Sequence, residues 1–165
     1  SGEIIFPKIE QNPTFPLNLR VAKITKIDRV DGADKLYVEQ MDLGDEQRQI
    51  VSGLVPYYKP EELIGKQVII VSNLKPAKLR GVQSAGMLLA AEKDGKLQVL
   101  EAPNAKPGDQ VIAEGHINNP EQIKYDVFEK VKLEIKGGKV FANDLQLKIG
   151  GEDLTTTMPD GSSIQ

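Results

Sequence analysis

Apolar and polar positions alternate along most of this chain, and only two short stretches repeat at helical spacing. The run LNLRVAKITKI, from Leu17 to Ile27, sets Leu19, Val21, Ile24 and Ile27 against Arg20 and Lys23. Its phase slips after Val21, which predicts an outward-facing strand with a bulge. RVDGADK then reads as a turn around Asp31-Gly32. Leu36, Val38, Met41 and Leu43 suggest a second strand, Gly44-Asp45 a turn, and RQIVSGL a third strand. Pro60 followed by Glu61 and Glu62 opens a short helix that Gly65 ends. The strand QVIIVSNL empties into the loop KPAKLRG, and the apolar run MLLAA follows. Asp94-Gly95 marks a hairpin before KLQVL, and Pro107-Gly108-Asp109 a turn before QVIA. Several short strands with one short helix predict a mainly β fold, a small closed barrel. The five-stranded OB-fold is the plainest candidate.

A second unit begins near Ile117. Asn119 is placed to cap a helix and Pro120 to open it, while Ile123, Val127 and Val131 recur every four residues. With Phe128 widening the stripe, an amphipathic helix of about three turns is expected. LEIKGGKVF reads as strand, Gly-Gly turn, strand, and LQLKI alternates again. Roughly fifty residues bury little core by themselves. Residues 116–165 are therefore expected to dock, as a small α+β extension, on a barrel formed by residues 15–115. Residues 1–14 carry Pro7 and Pro13 without a period and read as a linker. Ser1-Gly2 resembles a cloning remnant, so the natural chain is expected to extend further upstream.

Composition removes several classes of function. No apolar run approaches the ~20 residues of a membrane helix, and no basic-then-apolar leader opens the chain. The sequence has no cysteine, which excludes disulfides, thiolate catalysis and cysteine-held zinc and fits a cytoplasmic protein. His116 is the single histidine. It stands between the two units with no Ser or Asp at a catalytic spacing, so neither a histidine-based nucleophile nor a histidine metal site is expected. Gly81 and Gly86 bracket four residues, but Met87 and Leu88 follow where a phosphate loop needs Lys and Ser or Thr. Asp28, Asp31 and Asp34 lack calcium-loop spacing. No catalytic set, metal site or cofactor is expected.

Charge is more informative than composition. The chain is acidic overall, with 24 Asp and Glu against 21 Lys and Arg. Yet the stretch from Leu63 to Ala91 carries Lys66, Lys75, Lys78 and Arg80 and no acid at all. Cations gathered on a strand-to-loop platform suit a polyanion such as RNA. Lys75, Lys78 and Arg80 are candidates to neutralise phosphates. Asn73 and Ser84 are candidates to bond phosphate or ribose oxygens, or else Asn73 holds the loop and Ser84 caps the following strand. Tyr37, Tyr57 and Tyr58 are candidate stacking rings, with a barrel-core role the more ordinary one for Tyr37.

At NLKPAKLRGVQSAGM the chain resembles the tRNA-binding domain of the endothelial monocyte-activating polypeptide II type. LRVAKI, DGADKLYVEQMDLG, RQIVSGL and PEELIGKQV extend the resemblance, in order, over residues 17–115. GKVFANDLQLKI and TTTMPDGSSIQ resemble the carboxyl extension of the eukaryotic members. The resemblance implies an OB-fold that binds tRNA without strong sequence readout, appended to an aminoacyl-tRNA synthetase, often the methionyl, tyrosyl or lysyl enzyme, or serving as a synthetase-associated cofactor. It associates the Asn, Ser and Met of the motif, here Asn73, Ser84 and Met87, with tRNA. Met87 is equally suited to packing behind Ser84. Arg20 and Lys23 also match. The extension is implied to occupy the surface through which bacterial relatives dimerise, giving a monomeric pseudo-dimer. The chain departs from the pattern at Asn18, usually Asp, and at Val30-Asp31, often His-Pro.

The expected function is a non-catalytic tRNA-binding module that raises tRNA affinity for a tethered enzyme. A protein-interaction module of a synthetase complex is the main alternative, and a cytokine-like secreted fragment a further one.

Overall fold

The strand Leu19–Arg29 is the hub of the molecule. It pairs antiparallel with Tyr37–Asp42, Gln67–Val71 and Gln110–Ala113. Tyr37–Asp42 carries Gln47–Ser52 on its far side, and Gln67–Val71 carries Met87–Leu88. The sheet closes where Gln47–Ser52 meets the chain just before Met87. There Ala85 N donates to Gln49 O at 2.8 Å, and Val51 N donates to Ser84 Oγ at 3.0 Å. The result is the mainly β, OB-like barrel that the alternation predicts. This computed structural model describes Gly2 and residues 12–165, so most of the linker expected at residues 1–14 lies outside the described residues.

Two apolar cores explain the sequence pattern. The barrel interior holds Ala22, Ile24, Tyr37, Met41, Ile50, Leu63, Val68 and Ile70. A second core lies on the outer barrel wall, where Leu19, Val21, Ile69 and Val71 pack with Phe128, Ile135, Val140, Leu147 and Leu154. QVIIV is a continuous apolar run because its strand is buried on both faces: Val68 and Ile70 point inward, Ile69 and Val71 outward. The same geometry corrects the reading of LNLRVAKITKI. Leu19 and Val21 face the outer core while Ala22 and Ile24 face the interior, so the two apolar pairs lie on opposite faces. Pairing runs unbroken from Leu19 to Lys23, so no bulge follows Val21; a register shift falls instead between Ile24 and Lys26 and returns Ile27 to the interior.

Hydrogen bonds add to the docking of residues 116–165. Leu145–Ile149 pairs with Gln110–Ala113, and Ser163–Ile164 adds a strand to Ala90–Lys93. Thr14–Phe15 runs parallel to Ile117–Asn118. The Leu133–Lys136 and Lys139–Ala142 strands turn at Gly137-Gly138 as expected.

The predicted three-turn helix is a single short one, Tyr125–Glu129. Ile123 is not in it. Ile123 N donates to Asn73 O, and Ile123 O accepts from Lys75 N, both at 2.8 Å, forming a parallel bridge with Leu74. Backbone groups engaged in that bridge cannot enter a helical ladder. No helix among the described residues is long and apolar enough to cross a membrane.

Candidate nucleic-acid interface

The basic loop is a β-hairpin. Ala77–Leu79 pairs with Val82–Ser84, with Leu79 opposite Val82, leaving a two-residue turn of Arg80-Gly81. Both turn residues have positive φ, +51° at Arg80 and +80° at Gly81. That is the twist of a type I′ turn, which favours Asn, Asp or Gly at its first position. Arg80 therefore holds a left-handed conformation that few non-glycine residues adopt. Its guanidinium is carried at the hairpin tip. Lys75 at the root, Lys78 on the strand and Arg80 at the tip are all exposed. None of the three takes part in an ion pair among the described residues.

The other candidate cations separate from this group. Lys66 bonds Glu101 at 2.8 Å and lies at the opposite end of Gln67–Val71 from Lys75. Lys23 is exposed, but it sits opposite Gln67, at that same distant end. Arg20 does not face outward as the alternation suggested. Its side chain is 14% exposed and pairs with Asp45 at 2.9 Å and Glu46 at 3.7 Å. Its Nε and Nη2 also donate to Gly108 O, each at 3.3 Å. The hydrogen bond from Arg20 holds the Asp45 carboxyl below its ordinary range.

Asn73 and Ser84 are buried beneath the hairpin. Asn73 Oδ1 accepts Asn18 N at 2.8 Å. Its Nδ2 donates to Pro16 O at 3.0 Å, Asn119 O at 3.1 Å and Glu121 O at 2.9 Å. Ser84 Oγ accepts Val51 N and donates to Gly86 O, both at 3.0 Å. Their polar groups are engaged inside the chain. Met87 is half-buried, opposite Val71 and against the outer core.

Among the aromatic candidates, Tyr37 is a core ring whose hydroxyl donates to Tyr58 O at 2.6 Å. Tyr58 OH accepts Val99 N at 3.0 Å, while Tyr57 is 39% exposed. His116 Nδ1 lies 3.0 Å from Glu114 O, at the junction.

Sequence reasoning missed Arg48. Its Nη1 donates to Ser72 O and to Ala85 O, the latter at 3.2 Å, and its Nε pairs with Glu46. Arg48 thus ties the third strand to both roots of the basic segment. Its only signal in the chain was a charge at the start of an apolar strand.

Residues 19–110 match the family described as "Putative tRNA binding domain". The chain belongs to that family. This tRNA-binding domain is 58% identical over 102 residues to a methionine–tRNA ligase of Listeria monocytogenes, covering 61% of the chain and 15% of the ligase. It is 50% identical over 130 residues to the corresponding ligase of Treponema denticola, covering 72% of the chain and 16% of the ligase. The chain therefore spans a small part of these relatives' length. Its fold is similar to that of the C-terminal domain of Plasmodium vivax p43, with a TM-score of 0.83 and 25% identity. That likeness covers 90% of this chain and 96% of the other. The tRNA-binding domain is a non-catalytic module, and its family-matched segment includes the whole basic hairpin.

Proposed function

We propose that this domain holds tRNA for a methionine–tRNA ligase and is of the endothelial monocyte-activating polypeptide II type. Three cations on one exposed hairpin, without an ion-pair partner among the described residues, carry the proposal. Lys75, Lys78 and Arg80 contact phosphates, which position the RNA without reading its sequence. Asn73, Ser84 and Met87 serve the site by fixing the hairpin to the barrel. Arg20 belongs to the internal scaffold, and Lys23 lies outside the contact surface. An attached module raises the effective tRNA concentration at a catalytic domain, which can gain ~10²–10⁴ in avidity without new catalytic groups.

The second part of the proposal concerns residues 116–165. They cover an outer wall carrying Leu19, Val21, Ile69 and Val71. Left bare, such a wall would be an apolar patch suited to a second copy of the chain. With its own extension seated there, the protein is a monomeric pseudo-dimer.

Titration of the isolated chain with bulk tRNA at several salt concentrations tests the function. With three phosphates neutralised, log K falls with log salt at a slope of roughly −2 to −3. Lys78→Ala and Arg80→Ala each flatten it by about one unit. A slope near zero, or equal affinity for duplex DNA, overturns the proposal. Sedimentation of the same sample tests the pseudo-dimer: a dimer sinks that part alone.

A further inference from the structure

A cleft of about 420 Å³ opens at the root of the basic hairpin, between barrel and extension. This volume lies within the range of small-ligand sites. Pro76 and Ala85, which bracket the hairpin's two strands, form one side, and Pro120 and Gln122 come from the extension. Arg20, Arg48 and Glu46 line its polar part.

The charges decide what chemistry the cleft suits. Arg20 pairs with Asp45 and Glu46, and Arg48 pairs with Glu46. Both guanidiniums are thus already engaged by carboxylates, Glu46 in the lining and Asp45 outside it, which makes the cleft a poor phosphate site. Of the phosphate-seeking cations, Lys75 stands beside the cleft-lining Pro76, while Lys78 and Arg80 lie further out along the hairpin. From Pro76 to Arg80 is four residues of extended chain, roughly 13 Å. What the cleft does offer is flat apolar surface from two prolines, beside hydrogen-bonding groups of both kinds. The amide of Gln122 is exposed and carries a donor and an acceptor. That combination matches the face and edge of a nucleobase. A base can enter only if it is unpaired, because the edges of a paired base are already occupied.

We propose that this cleft seats one unpaired base of the RNA strand whose phosphates lie on Lys75, Lys78 and Arg80. The inference rests on the proposed tRNA-binding function. It adds a preference for a single-stranded nucleotide that backbone contacts cannot provide.

The test uses a short single-stranded RNA with one 2-aminopurine, and the same RNA with an abasic site at that position. Binding to the native chain should change the 2-aminopurine fluorescence. The abasic RNA should bind roughly five- to a hundredfold more weakly, the range for one stacked base. Ala85→Leu, which fills the cleft, should remove the fluorescence change and leave the salt slope intact. Lys78→Ala with Arg80→Ala should flatten the slope and keep the fluorescence change at saturation. Equal binding of the abasic RNA, or an unchanged signal with Ala85→Leu, overturns the cleft proposal while leaving the phosphate surface standing. The abasic comparison needs no protein variant, so misfolding of Ala85→Leu does not blunt it. Absence of any RNA binding overturns both readings together.

Discussion

Val51 N donates a 3.0 Å hydrogen bond to the hydroxyl of Ser84, a side chain standing in for a strand partner across the barrel seam. The same hydroxyl donates to Gly86 O. One residue therefore closes the barrel and anchors the returning strand of the basic hairpin. Ser84→Ala leaves a buried amide without its partner, which costs about 1–3 kcal/mol. Urea unfolding should show that loss. The salt slope of tRNA binding should not change, because no charge is removed. A loss of tRNA affinity at unchanged slope would place Ser84 in contact with the RNA itself.

Asn73 joins three backbone carbonyls and one amide from segments on both sides of the barrel–extension junction. Asn73→Asp keeps the acceptor but turns three N–H···O contacts into oxygen facing oxygen. We expect a loss of several kcal/mol, larger than for Ser84→Ala. The check is the denaturation midpoint of Asn73→Asp beside that of Asn73→Ala, with the aspartate variant the less stable.

Arg80 occupies a turn position suited to asparagine. Arg80→Asn should raise stability by about 1 kcal/mol by relieving the left-handed arginine. It should also weaken tRNA binding and flatten its salt slope by about one unit. Opposite signs in melting temperature and affinity are the diagnostic. A variant that gains both would remove Arg80 from the contact surface.

Glu39 is fully buried in the barrel wall, and Ser52 donates its hydroxyl to one carboxyl oxygen. The other oxygen has no hydrogen-bond partner among the described residues. Burial pushes the Glu39 carboxyl up to about 8, against an ordinary value of 4.5, with the Ser52 bond opposing the shift. Between those two values the folded chain keeps a proton that the unfolded chain has released. Stability therefore falls as pH rises from 4.5 to about 8 and is level beyond. The full effect is on the order of several kcal/mol, at ~1.4 per unit. Glu39→Gln should flatten this part of the profile. Parallel pH profiles for the native and variant chains would show that the carboxyl is not the cause.

Gly108 packs directly on the second strand's end. A Cβ there would lie 2.1 Å from Leu43 O, and its φ is +90°. Gly108→Ala forces the Leu43 backbone and the Arg20 guanidinium to move. We expect a destabilisation of more than about 2 kcal/mol, measured by thermal unfolding. A melting temperature within about one degree of the native chain would contradict this packing.

Much of the barrel was legible because its signals are local. Asp94-Gly95 turns between Lys93 and Lys96 as a two-residue hairpin, and Pro60 with Glu61 and Glu62 opens the short helix. The phase slip after Val21 was misread as a bulge because a strand buried on both faces hides its period; the register shift lies after Ile24. The extension's helix was over-read for an equally physical reason. Ile123, Val127 and Val131 share a helical period, but a period does not say whether backbone groups are free. Ile123 had been claimed by Leu74, 49 residues earlier in the chain. The hairpin at Lys75 was read as a loop because Arg80-Gly81 is not one of the usual type I′ pairs.

By itself, the amino-acid sequence determined the β pattern, the turns, the family and the acid-free basic segment, because each is written in neighbouring residues. Only the tertiary structure decided which cations are paired with carboxylates. Arg20 meets Asp45 at a separation of 25 residues and Lys66 meets Glu101 at 35, pairings that no local period encodes. Coulomb attraction acts over ångströms in space, so a charge is free or neutralised according to which strands the fold lays side by side.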